Sequence, residues 1–434
     1  MSLIAVSMLI VSSLFMQDAL AEPDVATTLR DGWSAWMENE RDAGRGITRE
    51  AAAEWAAGAL KGVDITTLTS GQIEEIGWII NMVPAKQEAL LGHLSTLAKA
   101  STGEGLQAAV LLARQSMNSA ADLDLDELLS HPGIEDAIDK GEASSLFTML
   151  RFATPDALAE HKDTLLGYAK RLLASDKVEN VMAGGGLIEG LAQDGVGLSK
   201  DERNSLFDTA AAAMKAAAER DPEDEDEMNE RLLSRAKFLS GPAARGELVG
   251  GPAPNVEYLW VSDGRDEKSI RDHKGKIVVL DFWATWCGPC IGSFPNVREM
   301  QERYKGYDVE IIGVTSVQGT HYGEDGQVDV EGKPEEEFKL MQQFIGEKDI
   351  TWTIAFSTEG VFNPMYGVNG IPHVAILDVD GTVVENGLHP GMDAEHKYEV
   401  IDGLLHKAGK KHPEPVKSDG PVPHDHDGDG HPDH

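Results

Sequence analysis

Apolar residues change their spacing near residue 250, and that change admits only a two-part fold. From about Val25 to Ser240 they recur at helical intervals: Leu90, Leu94 and Leu97; Leu165, Ala169 and Leu172; Leu206, Ala210 and Ala213. Thr154-Pro155 puts a capping hydroxyl before a proline at the first helical position, and Ser199-Lys200-Asp201-Glu202 is a capping box. Gly103-Glu104-Gly105, His131-Pro132-Gly133, Gly184-Gly185-Gly186 and the acidic stretch Asp221 to Glu227 read as breaks between helices. Beyond the Gly- and Pro-rich stretch Gly241 to Asn255 the period becomes that of strands. Ile277 to Trp283 and Val309 to Val314 are nearly continuous apolar runs, as for strands buried on both faces. Phe294 to Tyr304 has room for a crossover helix between them, and Val374 to Leu377 with Thr382 to Glu385 flank an Asp380-Gly381 turn. Asp393 to Lys407 reads as a closing helix.

A chain of 434 residues is too long for one ordinary core. The spacing predicts an all-α helical array over 22–240, with no recognisable repeat signature, and a linker and lead-in over 241–255. An α/β domain over 256–411 follows, a central mixed sheet with helices on both faces, and then a disordered Asp/His-rich tail over 412–434. Residues 1–21 read as a signal peptide: a short apolar run to Met16, then Ala19-Leu20-Ala21 before Glu22. No basic residue precedes that run, the first being Arg30, so an uncleaved anchor or a buried N-terminal helix is the competing reading. With the signal removed, no membrane span is expected. The formal charge of −36 argues against nucleic acid and anionic membrane as partners.

The chain has two cysteines, three positions apart, in Trp286-Cys287-Gly288-Pro289-Cys290. An exported protein that spends no cysteine on a structural staple has kept both for one place. The pair follows the first buried strand and opens the next helix, whose unpaired N–H groups and dipole favour the Cys287 thiolate. One helical turn brings Cys290 behind Cys287, where it can attack a mixed disulfide and release the reduced substrate. A zinc site would need further ligands, and neither a second cysteine pair nor a nearby histidine is present. Asp281 lies inside the apolar strand. Burial would raise its pKa and suit it to exchange a proton with Cys290, or it is a strand-end carboxylate bonded to a backbone amide. Pro372, in Gly370-Ile371-Pro372-His373, enters a strand. A cis bond there would present the Ile371 backbone to an extended substrate beside the sulfurs, but the isomer is not written in the sequence.

The segment Val278-Val279-Leu280-Asp281-Phe282-Trp283-Ala284-Thr285-Trp286-Cys287-Gly288-Pro289-Cys290 resembles the thioredoxin active site. The lead-in Gly251-Pro252-Ala253-Pro254 and the long segment between the second and third strands resemble the exported TlpA/ResA branch of that fold. The likeness covers about 250–407. It implies a thioredoxin-like fold and a thiol–disulfide oxidoreductase, with Cys287 attacking, Cys290 resolving, Asp281 as buried acid and Pro372 as cis-proline. Trp286, Gly288, Pro289 and Ile371 would then border the substrate. Pro295 matches the kink proline of the thioredoxin helix. No cofactor beyond the dithiol is required. Gly-Pro between the cysteines resembles the reducing members, thioredoxin itself lying at roughly −270 mV. Two departures stand out: Val309 to Ser316 carries no lysine to pair with Asp281, and His373 replaces the usual threonine, as a cation near the thiolate or as a plain strand residue. The insert Val317 to Asp349 has a Gly-rich acidic loop (Gly319 to Lys333) and a helix from Pro334. It either selects substrates at the redox site or decorates the surface.

The C-terminal Asp425-His426-Asp427-Gly428-Asp429-Gly430-His431-Pro432-Asp433 resembles a calcium loop, with Asp425, Asp427, Asp429 and Asp433 as oxygen ligands. It lacks the last bidentate glutamate, so such a site would be weak. His424, His426, His431 and His434 could instead hold Zn²⁺, Ni²⁺ or Cu²⁺, and an unliganded tail is the third reading. The sequence as a whole reads as a periplasmic or otherwise extracytoplasmic reductase of protein disulfides. It would act on a disulfide-containing client and be recharged by a membrane thiol donor. The alternative is a scaffold whose helical domain docks a partner while the redox domain senses or locks the contact.

Overall fold

The computed structural model describes residues 24–117, 123–220, 227–323 and 326–414. The signal-like segment 1–21, the acidic stretch 221–226 and the tail carboxylates Asp425, Asp427, Asp429 and Asp433 lie outside the described residues. The chain divides into two compact units, Met1–Leu232 and Leu233–His434.

The first unit is helical: α1 (Val25–Asp42), α2 (Arg49–Ala59), α3 (Ser70–Asn81), α4 (Pro84–Leu97), α5 (Gly103–Ser116) and α6 (Leu125–Leu129). It continues through α7 (Ile134–Lys140), α8 (Ser144–Met149), α9 (Pro155–Glu160), α10 (Lys162–Leu173), α11 (Val178–Leu191) and α12 (Lys200–Ala218). The division between units falls within α13 (Glu227–Ser240). Capping follows the sequence: Thr154 accepts from the Ala157 amide, and Ser199 and Glu202 form a reciprocal capping box. Leu90, Leu94, Leu165, Ala169 and Leu172 are buried.

Three expectations for this unit need correction. Gly184-Gly185-Gly186 lies inside α11 and does not break it. A Cβ on Gly184 would come within 3.0 Å of Leu172 Cβ and Leu173 Cγ, and one on Gly185 would strike Met214. These glycines let neighbouring helices approach, and packing repays their weak helix propensity. Gly103-Glu104-Gly105 is likewise the first turn of α5, capped by Thr102. The buried stripe of α12 also runs one residue later than Leu206, Ala210 and Ala213 suggest. It is carried by Phe207, Ala210, Ala211 and Met214.

The second unit holds a six-stranded mixed sheet in the order β1 (Tyr258–Val261), β6 (Thr353–Ser357), β3 (Val309–Ser316), β2 (Ile277–Phe282), β7 (His373–Leu377) and β8 (Val383–Leu388). β2 and β3, and β3 and β6, pair in parallel; the remaining pairs are antiparallel. Four helices, α14 (Gly288–Gly292), α15 (Phe294–Arg303), α16 (Pro334–Glu347) and α17 (Ala394–Lys407), contribute to the core on one face with Val279, Trp283, Ile311 and Ile376. The other face presents Val278, Leu280 and Phe282 and is covered by Leu248, Val256, Ile270 and Tyr366, the last two in 3₁₀ turns. Segment 241–255 is therefore no free linker. Gly250 and Ala253 donate to the Val383 and Gly381 carbonyls at 2.8 Å, which extends the sheet beside β8. The Gly319 to Lys333 loop also carries structure, a two-stranded hairpin of β4 (Thr320–Gly323) and β5 (Gly326–Asp329).

Candidate active site

Side chains alternate across β2. Leu280 and Phe282 face one core, and Asp281 faces the other with Val279 and Trp283. After Trp283 the chain leaves the sheet and Cys287 caps α14, its sulfur accepting the Cys290 amide at 3.2 Å. The two cysteines form a disulfide with Cα atoms 5.2 Å apart, Cys287 being 4% exposed and Cys290 1%. Ser293 ends α14 and begins α15, where Pro295 occupies the first turn, and its hydroxyl donates to the Cys290 carbonyl at 2.7 Å. Ile371–Pro372 is a cis peptide, and the Ile371 carbonyl oxygen lies 3.8 Å from Cys287 Sγ. Trp286 is 42% exposed beside the pair.

Asp281 is fully buried on the side of the sheet where Cys290 packs, and its Oδ1 has no hydrogen-bond partner. Loss of water pushes its pKa up to about 7, and the charge of Lys397 draws it back down. No backbone amide among the described residues donates to it, which removes the strand-end alternative. Lys397 is the residue that sequence reasoning missed. It occupies the buried stripe of α17 with Ile401 and Leu405 and donates to the carbonyls of His389 at 2.7 Å and Pro390 at 3.1 Å, and to that of Met392. The cation absent from β3 thus comes from the last helix. A lysine in register with an apolar stripe was the available signal. Burial holds the Lys397 pKa below the usual lysine range, while Asp393 and Asp281 oppose that.

His373 packs against Phe282 on the opposite face and shares a hydrogen bond with Asn386 Oδ1 at 3.0 Å. Burial lowers its pKa, so it fits the plain strand role and not that of a cation at the thiolate. The insert reaches the turn just before the cysteines. The Trp286 indole donates to Gln318 Oε1 at 3.0 Å, and the Tyr322 amide of β4 donates to Thr285 Oγ1 at 3.2 Å. Glu337 in the first turn of α16 is buried and accepts from the Gln318 and Gly319 amides. Its burial still outweighs those bonds and raises its pKa. Among the described residues no cluster of His, Cys, Asp or Glu could hold a metal ion, and no helix is long and apolar enough to cross a membrane.

Residues 248–401 match the Redoxin family model. The thiol–disulfide oxidoreductase ResA of Oceanobacillus iheyensis is 29% identical over 139 residues, which are 32% of this chain and 63% of that protein. The chain thus spans less than two thirds of that relative. ResA of Bacillus thuringiensis subsp. konkukian is 30% identical over 160 residues, 37% of this chain and 78% of its own length. The thioredoxin domain of a thiol–disulfide oxidoreductase from Bacteroides vulgatus is 23% identical with a TM-score of 0.26, over 35% of this chain and 96% of that one.

Proposed function

Since the chain belongs, through its C-terminal part, to the family of ResA thiol–disulfide oxidoreductases, we propose that it works outside the cytoplasm as a reductase of protein disulfides. In the dithiol form the Cys287 thiolate attacks one sulfur of a client disulfide, and the second client sulfur leaves as a thiolate. Asp281 takes the proton of Cys290. The Cys290 thiolate then attacks Cys287 Sγ, expels the client sulfur still bonded there as a thiolate that takes up a proton, and leaves the Cys287–Cys290 disulfide. Two electrons pass to the client, and a membrane thiol donor returns them. Trp286, Gly288, Pro289 and Ile371 border the client, with the Ile371 backbone free to pair with an extended segment.

One observation carries this reading: a fully buried carboxylate with a free oxygen and a pKa near 7, on the face where Cys290 packs. A group poised there can both accept and return a proton at neutral pH. What supports export is the apolar start followed by Ala19-Leu20-Ala21, together with two cysteines kept for chemistry alone. The test is a Cys290→Ser variant, incubated with an extract of the extracytoplasmic space and separated without reductant. Client adducts through Cys287 are expected, and they should vanish in Cys287→Ser. An absence of any adduct, with no insulin reduction by the native protein, would overturn the proposal.

A further inference from the structure

Trp286, the residue before Cys287, stands against a second exposed ring, Phe362. Trp286 and Phe362 are 42% and 46% exposed, their centroids 6.2 Å apart. An exposed indole on a loop would ordinarily sample several rotamers. Here both rings are tied to one buried point, Ser316, the last residue of β3. Its hydroxyl accepts the Val361 amide at 3.0 Å, which fixes the segment carrying Phe362. It also accepts Gln318 Nε2 at 2.6 Å, and the same nitrogen donates to the Ser316 carbonyl at 3.2 Å. With its donor half committed to Ser316, the Gln318 amide must turn its oxygen outward, where it accepts the Trp286 indole N–H.

Gln318 is held in turn by its backbone. Its amide and that of Gly319 end on the buried Glu337 carboxylate at 3.0–3.2 Å, and Gly319 has the left-handed φ of +68°. Neither Gln318 nor Glu337 is bonded to a sulfur. Resting on the reductase reading above, we infer that Gln318, clamped by Ser316 and Glu337, is a positioning residue that holds Trp286 over the redox couple and so sets a preference for polypeptide disulfides over small ones. A polypeptide lays apolar side chains on the two rings, whereas a small disulfide needs only access to Cys287. Preorganising the ring therefore lowers the cost of binding the first and leaves the second alone.

The experiment compares insulin with hydroxyethyl disulfide as substrates of the full chain. Gln318→Ala is expected to raise KM for insulin about three- to tenfold at unchanged kcat, the effect of one hydrogen bond. Kinetics with hydroxyethyl disulfide should stay within about twofold. Gln318→Glu keeps an acceptor for the indole but loses the N–H groups that Ser316 anchors, so it should recover little of the loss. In a Trp286→Phe background, Gln318→Ala should add nothing. A readout independent of activity is solvent exchange of the Trp286 indole proton, assigned by its disappearance in Trp286→Phe. It should quicken about tenfold in Gln318→Ala. Equal losses on both substrates, unchanged indole exchange, or additivity with Trp286→Phe would each refute the clamp. A native protein inactive on both disulfides would instead refute the reductase reading, and the indole measurement would still judge the clamp.

Discussion

The two units bury different kinds of side chain. Among the described residues, the polar side chains buried in the helical unit are Ser70 and Asn180. Both are neutral: Ser70 donates to Gln107 at 2.7 Å and Asn180 to the Ile138 carbonyl at 2.7 Å, while Asn180 Oδ1 and the Ser145 hydroxyl are buried without partners. The redox unit buries Asp281, His321, Glu337, His373 and Lys397, and leaves Asp281 Oδ1, His321 Nδ1 and two indole nitrogens without partners. Unsatisfied buried polar groups cost stability, and proteins keep them where they serve chemistry. The contrast lies in charge, titratable groups being buried in the second unit, and it supports the proposal that the helical unit serves packing while the other moves protons and electrons. It is broken by any change in the first that alters exchange, and sharpened by changes in the second that trade stability for rate.

The largest such trade is expected at Asp281. The folded protein holds the Asp281 proton up to about pH 7, while an unfolded chain releases it near 3.8. The stability from that tighter grip is complete below about pH 4 and is lost as the pH rises through 7. Asp281→Asn carries no charge at any pH. It should therefore be more stable than the native protein at pH 8, by on the order of 4 kcal/mol, with little gain at pH 4. Exchange should slow at least about tenfold. Urea melts at the two pH values, run beside insulin reduction, check both arms. A variant equally stable relative to the native protein at both pH values would remove Asp281 as a buried ionisable acid.

Gly105 offers the opposite case, a substitution that ordinarily stabilises. Alanine improves a helix interior by roughly 0.5–1 kcal/mol over glycine. In α5, however, a Cβ on Gly105 would come within 2.1 Å of the Ala100 carbonyl oxygen, which is backbone and cannot turn aside. Gly105→Ala should destabilise the helical unit by about 2–3 kcal/mol in urea melts, with the rate of insulin reduction at 25 °C unchanged. A stabilised variant would show that the tight turn before α5 is not a packing constraint.

Lys397→Met should change both stability and exchange. Three carbonyls lose their donor, at about 2 kcal/mol in stability, and Asp281 loses the positive charge that restrains its pKa. The pH profile of exchange, measured by stopped flow, should move to higher pH. An unmoved profile in a folded variant would mean that Lys397 only supports the loop 389–392.

What could be read from the sequence divides along the same line. β2 and β3 are unbroken apolar runs, and each was expected within a residue or two. The cysteines, Asp281 and Pro372 were legible because their spacing is local to one strand, one turn and one strand entry. β1 and β6 escaped notice. Tyr258–Val261 is a four-residue edge strand and Thr353–Ser357 follows a turn, so neither has the length or alternation that marks a strand. The hairpin of β4 and β5 is mostly exposed and polar, with no buried face to impose a period. Lys397 was missed because the carboxylate its charge acts on, Asp281, lies in β2, far away in sequence. The Gly184 triplet was misread for a like reason: what it approaches, Leu172 and Met214, belongs to other helices. Local pattern reveals elements, and tertiary contacts decide which exceptions to that pattern are used.

The smallest effect tests the comparison most severely, because it should be confined to one unit. Thr154 caps α9 by accepting the Ala157 amide at 3.3 Å, and Pro155 follows at the first helical position. Thr154→Ala leaves that amide without its acceptor and should cost about 1 kcal/mol. Nothing about the cap bears on a sulfur or on the proton of Cys290. The urea midpoint should therefore fall while KM for insulin, kcat and the pH profile stay where they are. If KM rises instead with the midpoint unmoved, the helical unit takes part in holding the client. The division of labour read from buried polar groups would then be wrong for the first unit, however well it describes the second.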